Sequence, residues 1–349
     1  LHKEYRRQRQ MCIRDRKGAG LGSMITDEEY VAAGAQMVAT AKECWDCDMV
    51  VKVKEPLAPE YDLFHEGLIL YTYLHLAPEP ALTKALLEKK VIGIAYETVQ
   101  FDNGFLPLLA PMSEVAGRMA TQVGAQMLTK IEGGMGLLMG GTAGVQAAHV
   151  VILGAGTVGL SAAKVAMGMG ARVTILDSNL FRLRQIDDLF GGRIQTLASN
   201  AFNIAAATKD ADLLVGSVLI PGALTPKLVP EAMVKTMKPG SAIVDVAIDQ
   251  GGCFETSHPT THQDPVYEID GIVHYAVANI PGAVARTSTF ALTNATIPYA
   301  LKLADKGWKQ ACKENPDLLE GLNIVDGKVV YKGVADAWGL PYTPVEEVL

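Results

Sequence analysis

The sequence predicts an α/β protein of two doubly wound domains, one of them built on a six-stranded parallel sheet. Three observations carry this. The chain has 349 residues, more than one ordinary core accommodates, so two domains are expected. Its hydrophobic share is 49% and its charged share 20%, which suits a packed globule and excludes a disordered chain. Short runs rich in Val, Ile and Leu alternate with helical patterns, as buried parallel strands covered by helices do.

The first 17 residues stand apart from this pattern. LHKEYRRQRQMCIRDRK holds seven of the 31 basic residues and two of the 38 acidic ones, and it has no apolar periodicity. Without it the remainder carries 24 basic against 36 acidic residues, a net charge of −12. It lacks the Ser-rich, acid-free character of a targeting peptide. A basic arm for an anionic partner is a second reading. The stretch Met11–Asp15 favours a third, that residues 1–17 are foreign or disordered sequence attached to a truncated gene product.

From Gly18 onward strands and helices alternate. Thr26 followed by Asp27, Glu28 and Glu29 reads as an N-cap with an acidic first turn. Strands are expected at 49–53, 68–74 and 91–95. Ser113 and Glu114 open a long helical pattern to about Ile131, a natural connector between domains. A Gly-rich loop, 133–144, follows. Six strands are then expected at 149–153, 172–176, 194–198, 212–215, 242–246 and 274–277, the full set of a doubly wound dinucleotide fold. After Thr296 only helices are evident, broken at Pro316 and Pro341, and they are expected to pack back on the first domain. The expected division is 18–115 for a substrate domain, 116–295 for the nucleotide domain and 296–349 for the returning helices.

Composition excludes several function classes. A net charge of −7 and a pI near 5.6 disfavour a nucleic-acid partner. No apolar run reaches the roughly 20 residues that span a bilayer. Five cysteines make no disulfide framework, and reduced thiols with no signal sequence point to the cytoplasm. The one close pair, Cys44 and Cys47, has no second pair to complete a metal site, and it reads as a helix end feeding the strand at 49–53. No metal is expected.

The run from Val150 to Gly159 is a buried strand entering G-x-G-x-x-G and then a helix, the Rossmann arrangement. Gly154 permits the tight turn, Gly156 lets the backbone approach a pyrophosphate, and Gly159 lets helix and strand pack closely. The helix N-terminus offers free N–H groups to phosphate. Asp177 ends the next strand 18 residues beyond Gly159. A carboxylate there takes both ribose hydroxyls and repels a 2′-phosphate, so NAD is expected over NADP. Arg182 and Arg184 follow, either solvated on the next helix or reopening that choice. Ligands in such sheets bind at the carboxyl edge, which points to Ser217–Gly222, Asp249 and Asn279 after the fourth, fifth and sixth strands. Asp245 lies within its strand and reads as a structural acid tethered by backbone.

In the first half, Lys54 ends a strand in Val51-Lys52-Val53-Lys54-Glu55-Pro56. A lysine there pairs with a substrate carboxylate or carbonyl, or is simply a solvated edge residue. His75, after the apolar run from Ile69, is either a general acid/base or a satisfied capping histidine. Spacing does not decide either.

Taken together these segments resemble alanine dehydrogenase, from about Gly18 to the C-terminus. The likeness is carried by VKVKEP (51–56), LHLAPEP (74–80), AYETVQ (95–100), LPLLAPMSEVAGRMA (106–120), GGTAGVQ (140–146), the glycine fingerprint, DVAIDQGGCFE (245–255) and TSTFALTNATIP (287–298). The resemblance implies NAD-dependent, reversible oxidation of L-alanine to pyruvate and ammonium, through an iminium ion to which water adds. It implies Lys54 on the substrate carboxylate or oxo group, His75 as the acid/base, and Asp249 holding the water or carbinolamine hydroxyl. Ser113, Asp177, Arg182, Ser199 and Asn279 would contact cofactor or cleft, with Arg182 standing where relatives often carry another residue. Domain closure and a homohexamer are also implied. The family opens with a segment bearing a substrate-gripping arginine, which has no counterpart here. The chain as given is therefore expected to have an incomplete first sheet and weak turnover, the native gene product full activity. Two rivals are open: the related NAD-binding subunit of a proton-translocating transhydrogenase, and a non-catalytic NAD-binding module. Lys54, His75 and the DQGGCFE run favour the amino-acid enzyme.

Overall fold

The structure, a computed structural model, describes residues 11–218 and 225–349. Residues 1–10 of the basic leader and Leu219–Gly222 of the loop after the fourth strand lie outside them. The chain forms two compact units, Leu1–Pro111 with Ala285–Leu349, and Met112–Val284.

The first unit begins with a parallel pair, β1 (Arg14–Arg16) and β2 (Gln36–Val38), in the register Arg14 to Gln36. Composition set residues 1–17 apart, yet 14–16 pair as a strand, because main-chain bonding requires no apolar side chain. Between them α1 (Asp27–Ala33) starts in a full capping box, the Glu29 carboxylate accepting from the Thr26 N–H at 2.7 Å. A second box, Thr40 with Glu43, starts α2 (Ala41–Trp45). Then come β3 (Met49–Val51), β4 (Ile69–Thr72), α3 (Pro80–Glu88) and β5 (Ile92–Ala95). Cys44 and Cys47 sit at the α2–β3 junction, where Cys47 Sγ donates to the carbonyls of Cys44 and Met49. Burial raises both thiols above the ordinary value, so neither is a ready thiolate.

The next helix, α4 (Ala110–Met127), spans the unit boundary and starts three residues before Ser113. Ser113 therefore lies inside the helix rather than at its cap. The first turn contains Pro111, and proline is tolerated where the N–H has no helical partner.

The second unit runs β6 (His149–Leu153), α5 (Thr157–Gly168), β7 (Arg172–Asp177), α6 (Leu180–Phe190), β8 (Gln195–Ala198), α7 (Ala201–Asp210), β9 (Leu213–Gly216), α8 (Glu231–Val234), β10 (Ala242–Asp245), β11 (Val266–Ile269) and β12 (Ile272–Tyr275). Its sheet has the order β11-β12-β10-β9-β6-β7-β8, with a topological switch between β6 and β9. The expected six parallel strands are present, but the sheet has seven, because β11 pairs antiparallel with β12. The cause is local: Asp270 and Gly271 both have positive φ (53° and 77°), the two-residue hairpin turn that Asp-Gly favours. The core packs Val151, Leu153, Leu214, Ile243 and Phe254 together, all essentially inaccessible.

The chain then re-enters the first unit through α9 (Ala285–Glu314), interrupted at Gly307 with φ 70°, and α10 (Pro316–Leu319). Here the all-helical expectation is corrected. β13 (Leu322–Val325) and β14 (Lys328–Val329) form a second Asp-Gly hairpin through Asp326 and Gly327 (φ 48° and 77°), before α11 (Lys332–Trp338). β13 also pairs antiparallel with β5, giving the order β14-β13-β5-β4-β3. Leu70, Leu74, Leu82, Leu86 and Ile324 fill the core beside this sheet.

Candidate active site

In the first unit the parallel register of β3, β4 and β5 brings three carboxyl ends together. Tyr73 N–H donates to the Val53 carbonyl (3.3 Å) and Thr72 Oγ1 to the Lys54 carbonyl (3.1 Å), so Lys54 lies against the chain entering His75. The two lysines of this strand have different fates. Lys52 is committed to structure: its ammonium is 2.6 Å from Glu60 and lies 5.6 Å from the Trp45 ring centroid. Lys54 is exposed, and its ammonium makes no ion pair among the described residues.

His75 takes a left-handed backbone conformation (φ 48°), uncommon for a residue with a Cβ. Glu97, just after β5, holds that turn. Its carboxylate accepts from the His75 N–H at 2.6 Å and from the Leu74 N–H at 3.2 Å. On the other side, the ring Nδ1 lies 3.2 Å from Glu55 Oε2. The imidazole stacks on Tyr73 with 15° between planes, and the Tyr73 hydroxyl donates to the Leu108 carbonyl at 2.7 Å. The His75 side chain is 40% exposed. Burial raises the Glu55 carboxyl. Its own backbone N–H, the His75 ring and Lys54 outweigh that, and the net position is below the ordinary value. Glu55 is therefore an anion at neutral pH. Sequence reasoning singled out neither Glu55 nor Glu97; their stretches, VKVKEP and AYETVQ, were visible, but the pairing crosses strands.

In the second unit the glycine loop has the geometry a dinucleotide requires. Gly154 has φ 99°, and a Cβ there would lie 2.9 Å from the Ser217 carbonyl oxygen. At Gly159 a Cβ would meet the Gly154 carbonyl oxygen at 1.9 Å, which only glycine avoids. At Gly156, the residue preceding α5, a Cβ would meet nothing within 4 Å, leaving open space at a helix N-terminus. Ser217 is buried, and its hydroxyl donates to the carbonyls of Leu153 (2.8 Å) and Gly154 (3.0 Å), fixing the loop from beneath. Asp177 accepts from the N–H groups of Ala155 (2.7 Å) and Asn179 (2.8 Å), so its carboxylate is held at the loop. Arg182 is only partly exposed: Nε donates to the Ala155 carbonyl at 2.8 Å, and Nη1 to Gln185 Oε1 at 3.1 Å. Ser199 N–H donates to the Asp177 carbonyl at 2.9 Å, which places Ser199 at the same carboxyl edge. These residues fit a bound dinucleotide.

Asn279 and Asp249 follow β12 and β10 and are both exposed. Asn279 has φ 63°, and its carbonyl oxygen lies 3.1 Å from His262 Nε2 and accepts from the Gly282 N–H at 2.9 Å. Asp249 sits in a short 3₁₀ turn, Val246–Gln250. Asp245 is fully buried and accepts from the N–H groups of Ala247 (3.2 Å) and Cys253 (3.0 Å), with burial raising its carboxyl above the ordinary value. That is a structural acid. Ser113 is half-buried on α4. Among the described residues, no group of three or more His, Cys, Asp or Glu side chains could hold a metal ion.

Comparison with known proteins places the chain in a family. The family model described as alanine dehydrogenase/PNT, C-terminal domain, matches residues 120–332, and the corresponding N-terminal domain matches 12–116. The chain is 86% identical over 330 residues to an alanine dehydrogenase of Bilophila wadsworthia (strain 3_1_6), covering 93% of this chain and 88% of that protein. It is 67% identical over 335 residues to an alanine dehydrogenase of Methanococcus maripaludis, covering 95% and 90%. A solved L-alanine dehydrogenase superimposes with a TM-score of 0.90 at 49% identity, over 94% of this chain and 91% of that one. A transhydrogenase from Sinorhizobium meliloti has a TM-score of 0.77 at 24% identity, over 92% and 90%, a likeness of fold.

Proposed function

The chain belongs to the alanine dehydrogenase/PNT family, and from that premise we propose that it catalyses reversible NAD-dependent oxidative deamination of L-alanine to pyruvate and ammonium. The observation that carries the proposal is the carboxyl edge of β3 and β4. There an uncommitted ammonium, Lys54, lies next to the turn that presents a half-exposed imidazole, His75, backed by Glu55.

Bound NAD supplies the two-electron acceptor for oxidation at the alanine Cα. Lys54 binds the substrate carboxylate or developing oxo group, its ammonium making no ion pair among the described residues. His75 receives the hydroxyl proton as the carbinolamine collapses to pyruvate and ammonia leaves, and it returns a proton in the reverse direction. Asp249 holds the water or carbinolamine hydroxyl. Gly154, Gly156 and Gly159 with the α5 N-terminus hold the pyrophosphate, and Asp177 the adenosine ribose. Ser113, Ser199 and Asn279 complete the cofactor contacts, and Arg182 acts by bracing the glycine loop. The Asp177 carboxylate supports NAD over NADP. Titration calorimetry with NADH and NADPH tests this: tight NADH and weak NADPH binding are expected, and equal affinities would refute the choice.

The resemblance also supports a homohexamer, to be checked by light scattering. The free cysteines support a reducing compartment, the cytoplasm. Among the described residues no helix is long and apolar enough to cross a membrane.

A further inference from the structure

Resting on the assignment of His75 as the acid/base, we propose that Glu55 is a positioning residue that locks the His75 imidazole in its Nδ1–H tautomer, leaving Nε2 as the working nitrogen. A neutral imidazole has one donor and one acceptor nitrogen, and its neighbours decide which is which. An ionised carboxylate only accepts. Glu55 Oε2 lies 3.2 Å from Nδ1, so the proton belongs on Nδ1. Nε2 makes no hydrogen bond among the described residues and is left with its lone pair free.

The surroundings restrict the ring to this pose. The Tyr73 ring lies nearly parallel to the imidazole, with centroids 5.7 Å apart, and is itself anchored through its hydroxyl to Leu108. Glu97 fixes the main chain of the same residue. Glu55 is held ionised by its own N–H, the ring and Lys54 despite partial burial. When Nε2 takes a proton from the substrate hydroxyl, the resulting imidazolium faces the Glu55 anion and gains a charge-assisted bond. Lys54 and Glu55 thus do adjacent but different work: one faces substrate, and the other faces the base that acts on it.

The test is the ring ¹⁵N spectrum of histidine-labelled protein at mildly alkaline pH, with the His75 signals assigned by their loss in His75→Gln. The expected wild-type pattern is a protonated Nδ1 and an unprotonated Nε2. Glu55→Gln keeps an acceptor oxygen and should preserve that pattern, whereas Glu55→Ala should lose the Nδ1–H signature. A wild-type ring protonated on Nε2 overturns the proposal outright, even if Glu55→Ala fails to fold. So does an unchanged pattern in folded Glu55→Ala. The functional reading is judged separately: full alanine turnover in His75→Gln would remove the catalytic role of His75 while leaving the tautomer result intact.

Discussion

His75 is gripped by two carboxylates with different tasks, Glu97 on its main chain and Glu55 on its ring. Replacing His75 with Gln removes the proton carrier, and turnover should fall by about 10²- to 10⁴-fold with little change in melting temperature. Lys54→Ala should raise KM for alanine far more than it lowers melting temperature, since the Lys54 side chain supports no packing that steady-state kinetics and a thermal scan would confuse with binding. Glu97→Ala is expected to do the reverse. It strands two main-chain N–H groups and should cost about 1–3 kcal/mol of stability, measured by denaturant titration. A Glu97→Ala protein of unchanged stability would show that the left-handed turn holds without it. Lys54 and His75 stood out in the sequence as candidates at strand ends, but spacing left their roles open and only the resemblance assigned them. Glu55 and Glu97 did not stand out, since their partners lie 20 and 22 residues away and only strand pairing unites them.

The glycine turn between β6 and α5 assigns a separate duty to each glycine. Gly159→Ala places a Cβ against a main-chain oxygen 1.9 Å away, so the protein should lose stability as well as NADH binding. Gly156→Ala meets no protein atom and has an ordinary φ of −71°, so melting should be unchanged while NADH affinity drops by tenfold or more, about 1.4 kcal/mol. Calorimetry beside a thermal scan separates the two, and equal losses at both positions would contradict this division. This fingerprint and all six parallel strands of its sheet were legible because strand, turn and helix follow directly along the chain. The strands β11, β13 and β14 were passed over although Asp270-Gly271 and Asp326-Gly327 mark their turns. Each is short, and β14 has only two residues, too few for alternation to register. Ser113 was set at a helix cap because the Ser-Glu pair imitates one, whereas the helix begins at Ala110.

For the whole molecule, two buried imidazoles set the response to acid. Burial lowers His149 below its ordinary value, helped by Arg172 and opposed by Asp210; burial also lowers His274. The unfolded chain then binds protons first as pH falls. Their contribution to stability is complete above about pH 6.5 and declines as pH drops through the folded values. Glu55 and Asp210, both net lowered, add a second decline below the ordinary carboxylate range. The denaturant midpoint should therefore fall between pH 7 and 5, by a smaller amount in His149→Asn/His274→Asn; an equal slope in that variant would contradict it. The measurement that bears most directly on function is NAD reduction with L-alanine by the protein, run beside its His75→Ala variant. NADH should accumulate with alanine and slow by about 10²-fold or more in the variant. NADH binding without alanine-dependent NADH formation would contradict the account and leave a dinucleotide-binding relative with no amino-acid chemistry.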